Sequence, residues 1–212
     1  MREDSDMAEL KYDKNGRLLF TKEMAKEYTI LAPEMLPVTA GMLIKLMQFE
    51  GGYHAIELLT NQDRKVIETG LKYVHNDMCY PAILSIGQLV EAVESGRYDK
   101  HKVALMITQS GGGCRASNYL YLLRKALQRA GLEYVPVISL NLSSLDKQPG
   151  FKVTLRLALR SVFAMMYGDL LVNLGNQCRP YEVHAGETDK LISAWMEKII
   201  DLFSKGKGIW FE

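Results

Sequence analysis

Hydrophobic positions recur along this chain with two periods, and the two periods alternate. Short apolar, β-rich runs at 28–31, 55–59, 103–107 and 135–140 predict four strands. Apolar residues at helical spacing lie between these runs, as in 64–73, and beyond residue 150 only helical patterns remain. Strands that alternate with helices are typical of a mostly parallel sheet covered by helices. We therefore predict an α/β fold with a mostly parallel sheet of about four strands flanked by helices and a helical C-terminal part.

The same pattern divides the chain into two segments. Residues 1–26 read as a polar N-terminal lead-in, with a turn at Tyr12–Arg17. Residues 27–212 read as one α/β domain that ends in helices. The last helix has one apolar face, from Leu191 to Phe203, and an exposed face of that kind would favour a homodimer.

Composition and charge narrow the class of partner. The 26 basic residues nearly balance the 25 acidic ones, so nothing in the charge favours nucleic acid or an anionic membrane. The polar first residues do not resemble a signal peptide, and no uninterrupted apolar run approaches the roughly 18 residues of a membrane span. These features predict a cytoplasmic protein without a membrane segment.

Candidate chemistry centres on two of the three cysteines. Cys114 follows a buried strand and precedes a helix, and right-handed crossovers place such loops at the ligand-binding edge of a parallel sheet. The preceding Gly111, Gly112 and Gly113 allow close backbone approach, while Arg115 and the helix N-terminus favour a thiolate. Cys79 lies in a polar loop, also just before a helix. Two thiols on one edge could hold one metal or iron–sulfur cluster.

Other interpretations of these residues stay open. The glycine-rich turn could be a tight connection only, and a single buried cysteine often packs as a small hydrophobe. The spacing is not that of a zinc site, and the usual nucleotide-binding and hydrolase motifs are absent. His75 could be a ligand or a hydrogen-bonded cap, and Asn141 and Ser143 could line a pocket or form a turn.

Five stretches of the chain resemble the 2-hydroxyacyl-CoA dehydratase superfamily, in particular its long activase-related proteins. The resemblance covers nearly the whole chain from about Lys11. These stretches are Tyr28–Pro33, Lys72–Pro81, Ile107–Tyr119, Val135–Asn141 and Arg179–Glu182.

The resemblance implies a function that spacing alone does not. Members of that superfamily have Rossmann-like domains and bind 4Fe–4S or double-cubane clusters through cysteines. A partner activase hydrolyses ATP and passes single low-potential electrons, and the dehydratases eliminate water from 2-hydroxyacyl-CoA through a radical. By this match Cys79 and Cys114 are cluster ligands, with Gly111, Gly112, Gly113 and Arg115 around them.

The chain departs from these relatives in two ways. It lacks the ATP-binding domains that precede this region in the long relatives, so we expect a fragment or stand-alone segment. Only two cysteines lie in strong motifs, and Cys178 is a candidate third ligand. Other domains, subunits or a second chain would supply the rest, with acyl-CoA as a candidate substrate or as a ligand at the glycine loop. The alternative is a binding or scaffold domain without its own cluster.

Overall fold

The computed structural model describes residues 9–36, 38–60, 63–109, 113–140 and 148–207, and Arg115 through its backbone alone. The chain forms two compact units. The first unit comprises Met1–Glu34 and His54–Lys152, and the second comprises Met35–Tyr53 and Val153–Glu212. This division differs from the lead-in and single domain expected from the sequence.

The first unit is built on a four-stranded, all-parallel sheet. Its strands are β1 (Thr29–Pro33), β2 (His54–Leu58), β3 (Val103–Thr108) and β4 (Val137–Leu140), in the order β2-β1-β3-β4. Register pairs Leu31 with Ile56 on one side and with Leu105 on the other. The fold expected from the sequence, a Rossmann-like α/β sheet flanked by helices with a helical C-terminal part, is confirmed.

The described residues of the first unit form helices α1 (Met24–Glu27), α3 (Arg64–Tyr73), α4 (Tyr80–Glu94) and α5 (Tyr119–Arg129), the last preceded by a 3-10 helix at Arg115–Asn118. Strand β3 is almost entirely buried, as a central strand covered on both faces should be. Phe20 and Met24, within the expected polar lead-in, are also fully buried, so this segment contributes to the core.

Helices α3 and α4 cross at two glycines. A side chain at Gly87 would place its Cβ 2.2 Å from the Val66 carbonyl oxygen, and one at Gly70 would lie 2.3 Å from the Ile83 carbonyl oxygen. Only hydrogen fits between backbones at that separation. The crossing therefore depends on two residues without side chains.

The second unit is a packing of three helices, α2 (Thr39–Gly51), α6 (Leu155–Cys178) and α7 (Glu187–Ser204), with a 3-10 turn at Arg179–Tyr181. Its core includes Met42, Leu46, Leu157 and Phe203. Arg160, which is 1% exposed, forms an ion pair with Glu50 and donates to the Phe203 carbonyl oxygen over 2.9 Å. Helix α6 is thus joined to both of its neighbours by one buried guanidinium.

Helix α6 also carries an exposed apolar surface. On α6, Leu155 is 77% exposed, and Leu159 and Leu174 are about half exposed. Trp195, on α7, is also about half exposed. By length and composition alone, the stretch Leu155–Tyr181 is long and apolar enough to cross a membrane. The sequence, which has no uninterrupted apolar run of that length, had predicted no membrane segment. Core helices of soluble proteins meet the same criteria, so this property does not place α6 in a bilayer.

Candidate functional site

The carboxyl edge of the sheet carries the first of the two predicted cysteines. Cys79 stands at the N-cap of α4, and its carbonyl oxygen accepts the first helical hydrogen bonds, from Ala82 and Ile83. Pro81 occupies the first turn, where its missing N–H costs nothing. The half-buried Cys79 sulfur therefore lies at the positive end of a 15-residue helix, which favours the thiolate form.

Cys114 occupies the equivalent place before α5. It caps the 3-10 helix Arg115–Asn118, and the Ala116 N–H donates to its Sγ over 3.5 Å. The Ser117 hydroxyl donates to the Cys114 carbonyl oxygen over 2.8 Å and holds the turn. Cys114 is exposed, so its thiol is accessible to a ligand or an oxidant.

Tyr119 relates the two cysteines to each other. Its hydroxyl oxygen lies 3.4 Å from Cys79 Sγ, and its side chain is buried. The pKa of the Tyr119 phenol is raised, mainly by burial. The hydrogen bond with Cys79 and the charges of Cys79 and Cys114 raise it further. The phenol therefore stays protonated and can donate a hydrogen bond to sulfur. The contact brings Cys79 to the start of the helix that follows the Cys114 turn.

Sequence reasoning missed Tyr119 as a functional residue. It was included in the resembling stretch around Cys114, but a tyrosine at the first position of a helix has no motif of its own. The available signal was its apolar spacing with Leu120 and Leu123, which indicates a buried side chain. A buried tyrosine hydroxyl needs a polar partner, and here the partner is a thiol 40 residues away.

Of the other residues predicted to surround Cys114, only some lie within the described part of the chain. Gly113 is exposed, and a Cβ added to it would meet no atom within 4 Å. Gly111, Gly112, Asn141 and Ser143 lie outside the described residues, as does the side chain of Arg115. The anion-binding role expected of the glycine loop stays a prediction.

Two polar residues of the strand ends support the Cys114 turn. The Gln109 Nε2 donates to the Ser117 carbonyl oxygen over 2.8 Å, and the Ser139 hydroxyl donates to Gln109 Oε1 over 3.3 Å. This chain of hydrogen bonds links the ends of β3 and β4 to the turn that carries Cys114. Gln109 is part of the resembling stretch, but its positioning role becomes visible only in the structure.

His75 and Asp77 form a local pair in the Cys79 loop. His75 Nδ1 lies 3.2 Å from an Asp77 carboxylate oxygen and 3.4 Å from the Asp77 backbone nitrogen. Both side chains are exposed. These contacts fit the interpretation of His75 as a hydrogen-bonded cap of the loop.

A pair of carboxylates at the ends of β1 and β2 is a second feature that the sequence did not indicate. Glu57 is half-buried, and burial together with the charge of Glu34 raises its pKa to about 7. The Glu34 backbone N–H donates to Gln88 Oε1 over 2.8 Å, while the fully buried Gln88 Nε2 has no partner. Glu57 therefore exchanges a proton near neutral pH.

The donor set fits a thiolate-bound cluster in part. Cys79 and Cys114 can supply two sulfur ligands from two helix N-termini. Within the described ranges, no three His, Cys, Asp or Glu side chains form a group able to hold a metal ion. Cys178, the predicted third ligand, is the last residue of α6 in the second unit and is exposed.

Comparison with known proteins adds no relative to this description. No family model matches the chain, and neither the curated proteins nor the solved structures contain a significant match.

Proposed function

We propose that the chain is an iron–sulfur cluster-binding module of a 2-hydroxyacyl-CoA dehydratase or activase-type system, with Cys79 and Cys114 as ligands. It would serve low-potential electron transfer or the dehydration of a CoA thioester. The observation that carries the proposal is the 3.4 Å contact between Cys79 Sγ and the Tyr119 hydroxyl, which brings Cys79 to the helix that begins just after the Cys114 turn. The resemblance of the two cysteine stretches to that superfamily supports the choice of cofactor.

The residues of this chain would perform three tasks at the site. The N-terminus of α4 favours negative charge on the Cys79 sulfur, and the Ala116 N–H donates to the Cys114 sulfur. The Tyr119 hydroxyl orients Cys79, and a hydrogen bond to a cluster-ligating sulfur raises the reduction potential. The bound cluster would supply one-electron chemistry. The exposure of Cys114 leaves one side of the site open to a partner.

The ligand count implies further partners. Two cysteines are half of the four ligands that a cubane cluster ordinarily takes. The remaining ligands would come from other domains or subunits of the system, from a second copy, or from Cys178. The absence of disulfides among the three cysteines fits a reducing, cytoplasmic location, in which thiols stay available as ligands.

A second candidate function is that of a binding or scaffold domain without its own cluster. The exposed apolar surface of α6 and α7, which includes Leu159, Leu174 and Trp195, favours it. Apolar patches of this kind mark interaction surfaces in many proteins. In that case the chain would hold other components together, and Cys79 would have only a local packing role.

Iron and sulfide content tests the first proposal directly. We expect the anaerobically purified and reconstituted chain to bind iron and sulfide and to show a cluster signal in electron paramagnetic resonance after reduction. Cys79→Ala and Cys114→Ala should each lower the iron content to background. Tyr119→Phe should keep the iron but shift the reduction potential to lower values, because one hydrogen bond to sulfur is lost.

Cys178→Ala is the control for the other two cysteine variants and tests whether Cys178 is a ligand. An unchanged iron content would assign the missing ligands to another chain, whereas a loss would make Cys178 the third ligand. The proposal is wrong if the wild-type chain takes up no iron and sulfide, or if both Cys79→Ala and Cys114→Ala bind as much as the wild type. That result would leave the scaffold function.

A further inference from the structure

The first unit contains a cavity of about 390 Å³ between the turn at residues 12–18, the second half of α5 and the start of β4. Its volume falls within the range of small-molecule sites, which hold roughly 300–1,000 Å³. Two arginines, Arg17 from the turn and Arg124 from α5, contribute to its wall. Leucine and valine side chains, including Leu18 and Leu127, supply the apolar part.

The turn is built so that Arg17 has a defined position. Asp13 Oδ1 accepts the backbone N–H groups of Asn15 and Arg17, both over 2.8 Å, and Gly16 takes a φ of 71°. Tyr12 and Leu18 then pair as an antiparallel bridge. These contacts fix the backbone that carries Arg17.

Arg17 is held on the α5 side by Tyr121. Its Nη2 donates to the Tyr121 hydroxyl over 3.4 Å, and its guanidinium carbon lies 5.5 Å from the centre of the Tyr121 ring. The pKa of the Asp13 carboxyl is lowered, mainly because it accepts a hydrogen bond from the Arg17 backbone N–H. The positive charges of Arg17 and Arg124 lower it further. Both arginines line the same cavity.

The other polar groups of the cavity are suited to a sugar and a base. Gln128 and Glu133 line it, as does Tyr12, which is 56% exposed. A guanidinium group can donate two parallel hydrogen bonds to the oxygens of a phosphate. A carboxylate accepts hydrogen bonds from ribose hydroxyls, and an aromatic ring stacks on a base. The apolar walls would cover the face of a planar ring.

We propose that this cavity binds a nucleoside phosphate, with the phosphate at Arg17 and Arg124 and the ribose at Glu133. The site is separate from the cysteines, so it stands whether or not a cluster binds at Cys79 and Cys114. A free mononucleotide and the nucleotide part of coenzyme A present the same chemistry to it.

Calorimetric titration of the full chain with four probes tests the proposal. We expect AMP, coenzyme A or both to bind, and adenosine and inorganic phosphate each to bind at least about tenfold more weakly, because each lacks half of the contacts. Competition between AMP and coenzyme A distinguishes the two sources: displacement of one by the other assigns both to this cavity. Affinity should fall as salt increases.

Variants connect the binding to the residues. Arg17→Gln and Arg124→Gln should each weaken AMP binding about tenfold or more, and Arg124→Lys should restore part of it. Lys125→Gln, an exposed change on the same helix outside the cavity, is the control and should leave the affinity unchanged. Thermal unfolding checks that each variant folds, and Arg17→Gln tests the site even if Arg124→Gln does not fold.

The proposal is overturned if neither AMP nor coenzyme A binds, if adenosine binds as well as AMP, or if folded Arg17→Gln retains the wild-type affinity. Iron content should be the same in the arginine variants as in the wild type. A failure here is thereby distinguished from a failure of the cluster proposal.

Discussion

The Cys79 sulfur lies 3.4 Å from the hydroxyl oxygen of Tyr119, although 40 residues separate them in the chain. This contact joins the N-terminus of α4 to the N-terminus of α5. Helix α5 follows β3, so its N-terminus lies at the carboxyl edge of the sheet, and the contact brings the N-terminus of α4, which follows α3, to the same edge. The candidate site thus depends on the packing of α4 as well as on the crossover topology.

Cys79→Ala should lower the phenol pKa of Tyr119. Burial is the largest cause of its raised pKa and remains, but the hydrogen bond and charge of Cys79 are removed, so the shift becomes smaller. Nuclear magnetic resonance titration of ¹³C-labelled tyrosine measures it. Tyr134, whose pKa is raised by burial and nearby carboxylates, is the internal control and should titrate as before. An unchanged Tyr119 titration would contradict the contact.

Gly70→Ala and Gly87→Ala should each destabilise the first unit by roughly 2 kcal/mol or more, because a methyl group there meets backbone atoms that cannot move aside. Alanine is otherwise the better helix former by about 1 kcal/mol, so a net loss isolates the steric effect. Urea unfolding measures it. Gly113→Ala, with no atom near its Cβ, should change the free energy of unfolding by less than about 0.5 kcal/mol.

The stability of the first unit should fall between about pH 4.5 and pH 7 on account of Glu57. Its folded-state pKa is about 7 and its ordinary value is 4.5, so folding favours the protonated form. The contribution is complete below pH 4.5 and is lost as pH rises through 7.

Glu57→Gln should abolish this fall and stabilise the protein at pH 8 by on the order of 1–2 kcal/mol, a value reduced for partial solvent screening. Thermal unfolding against pH measures it. Glu34→Gln should weaken the effect by removing the like charge, and Glu68→Gln, an exposed change, should not alter it. Equal pH profiles for wild type and Glu57→Gln would refute the assignment.

In the second unit, Glu50→Gln should cost about 3 kcal/mol, because it leaves the buried Arg160 without its counter-charge. The double variant Glu50→Gln with Arg160→Met should recover much of the loss, since no buried charge remains. Unfolding followed by tryptophan fluorescence, to which Trp195 on α7 contributes, measures both. Lys205→Gln breaks an exposed pair and should cost less than about 0.5 kcal/mol. Equal costs for the single and double variants would contradict the unpaired charge of Arg160 as the cause of the loss.

The order of strands and helices could be predicted from the chain because it depends on local patterns. The period of apolar residues, the glycines that end helices and the proline after Cys79 act within a few residues of themselves. The predicted helix at 64–73 matches α3 at both ends. For the same reason, both cysteines could be assigned to loops that precede helices.

Other features required tertiary structure, because they join residues distant in sequence. Periodicity shows that Tyr119 is buried but does not identify Cys79 as its partner. It also cannot show that Arg17 and Arg124 line one cavity, or that Glu34 raises the pKa of Glu57. The sequence by itself thus determined the fold class and the positions of the two cysteines. Only the packing of elements decided which groups meet, because hydrogen bonds and charges act over a few ångströms of space, whatever the separation along the chain.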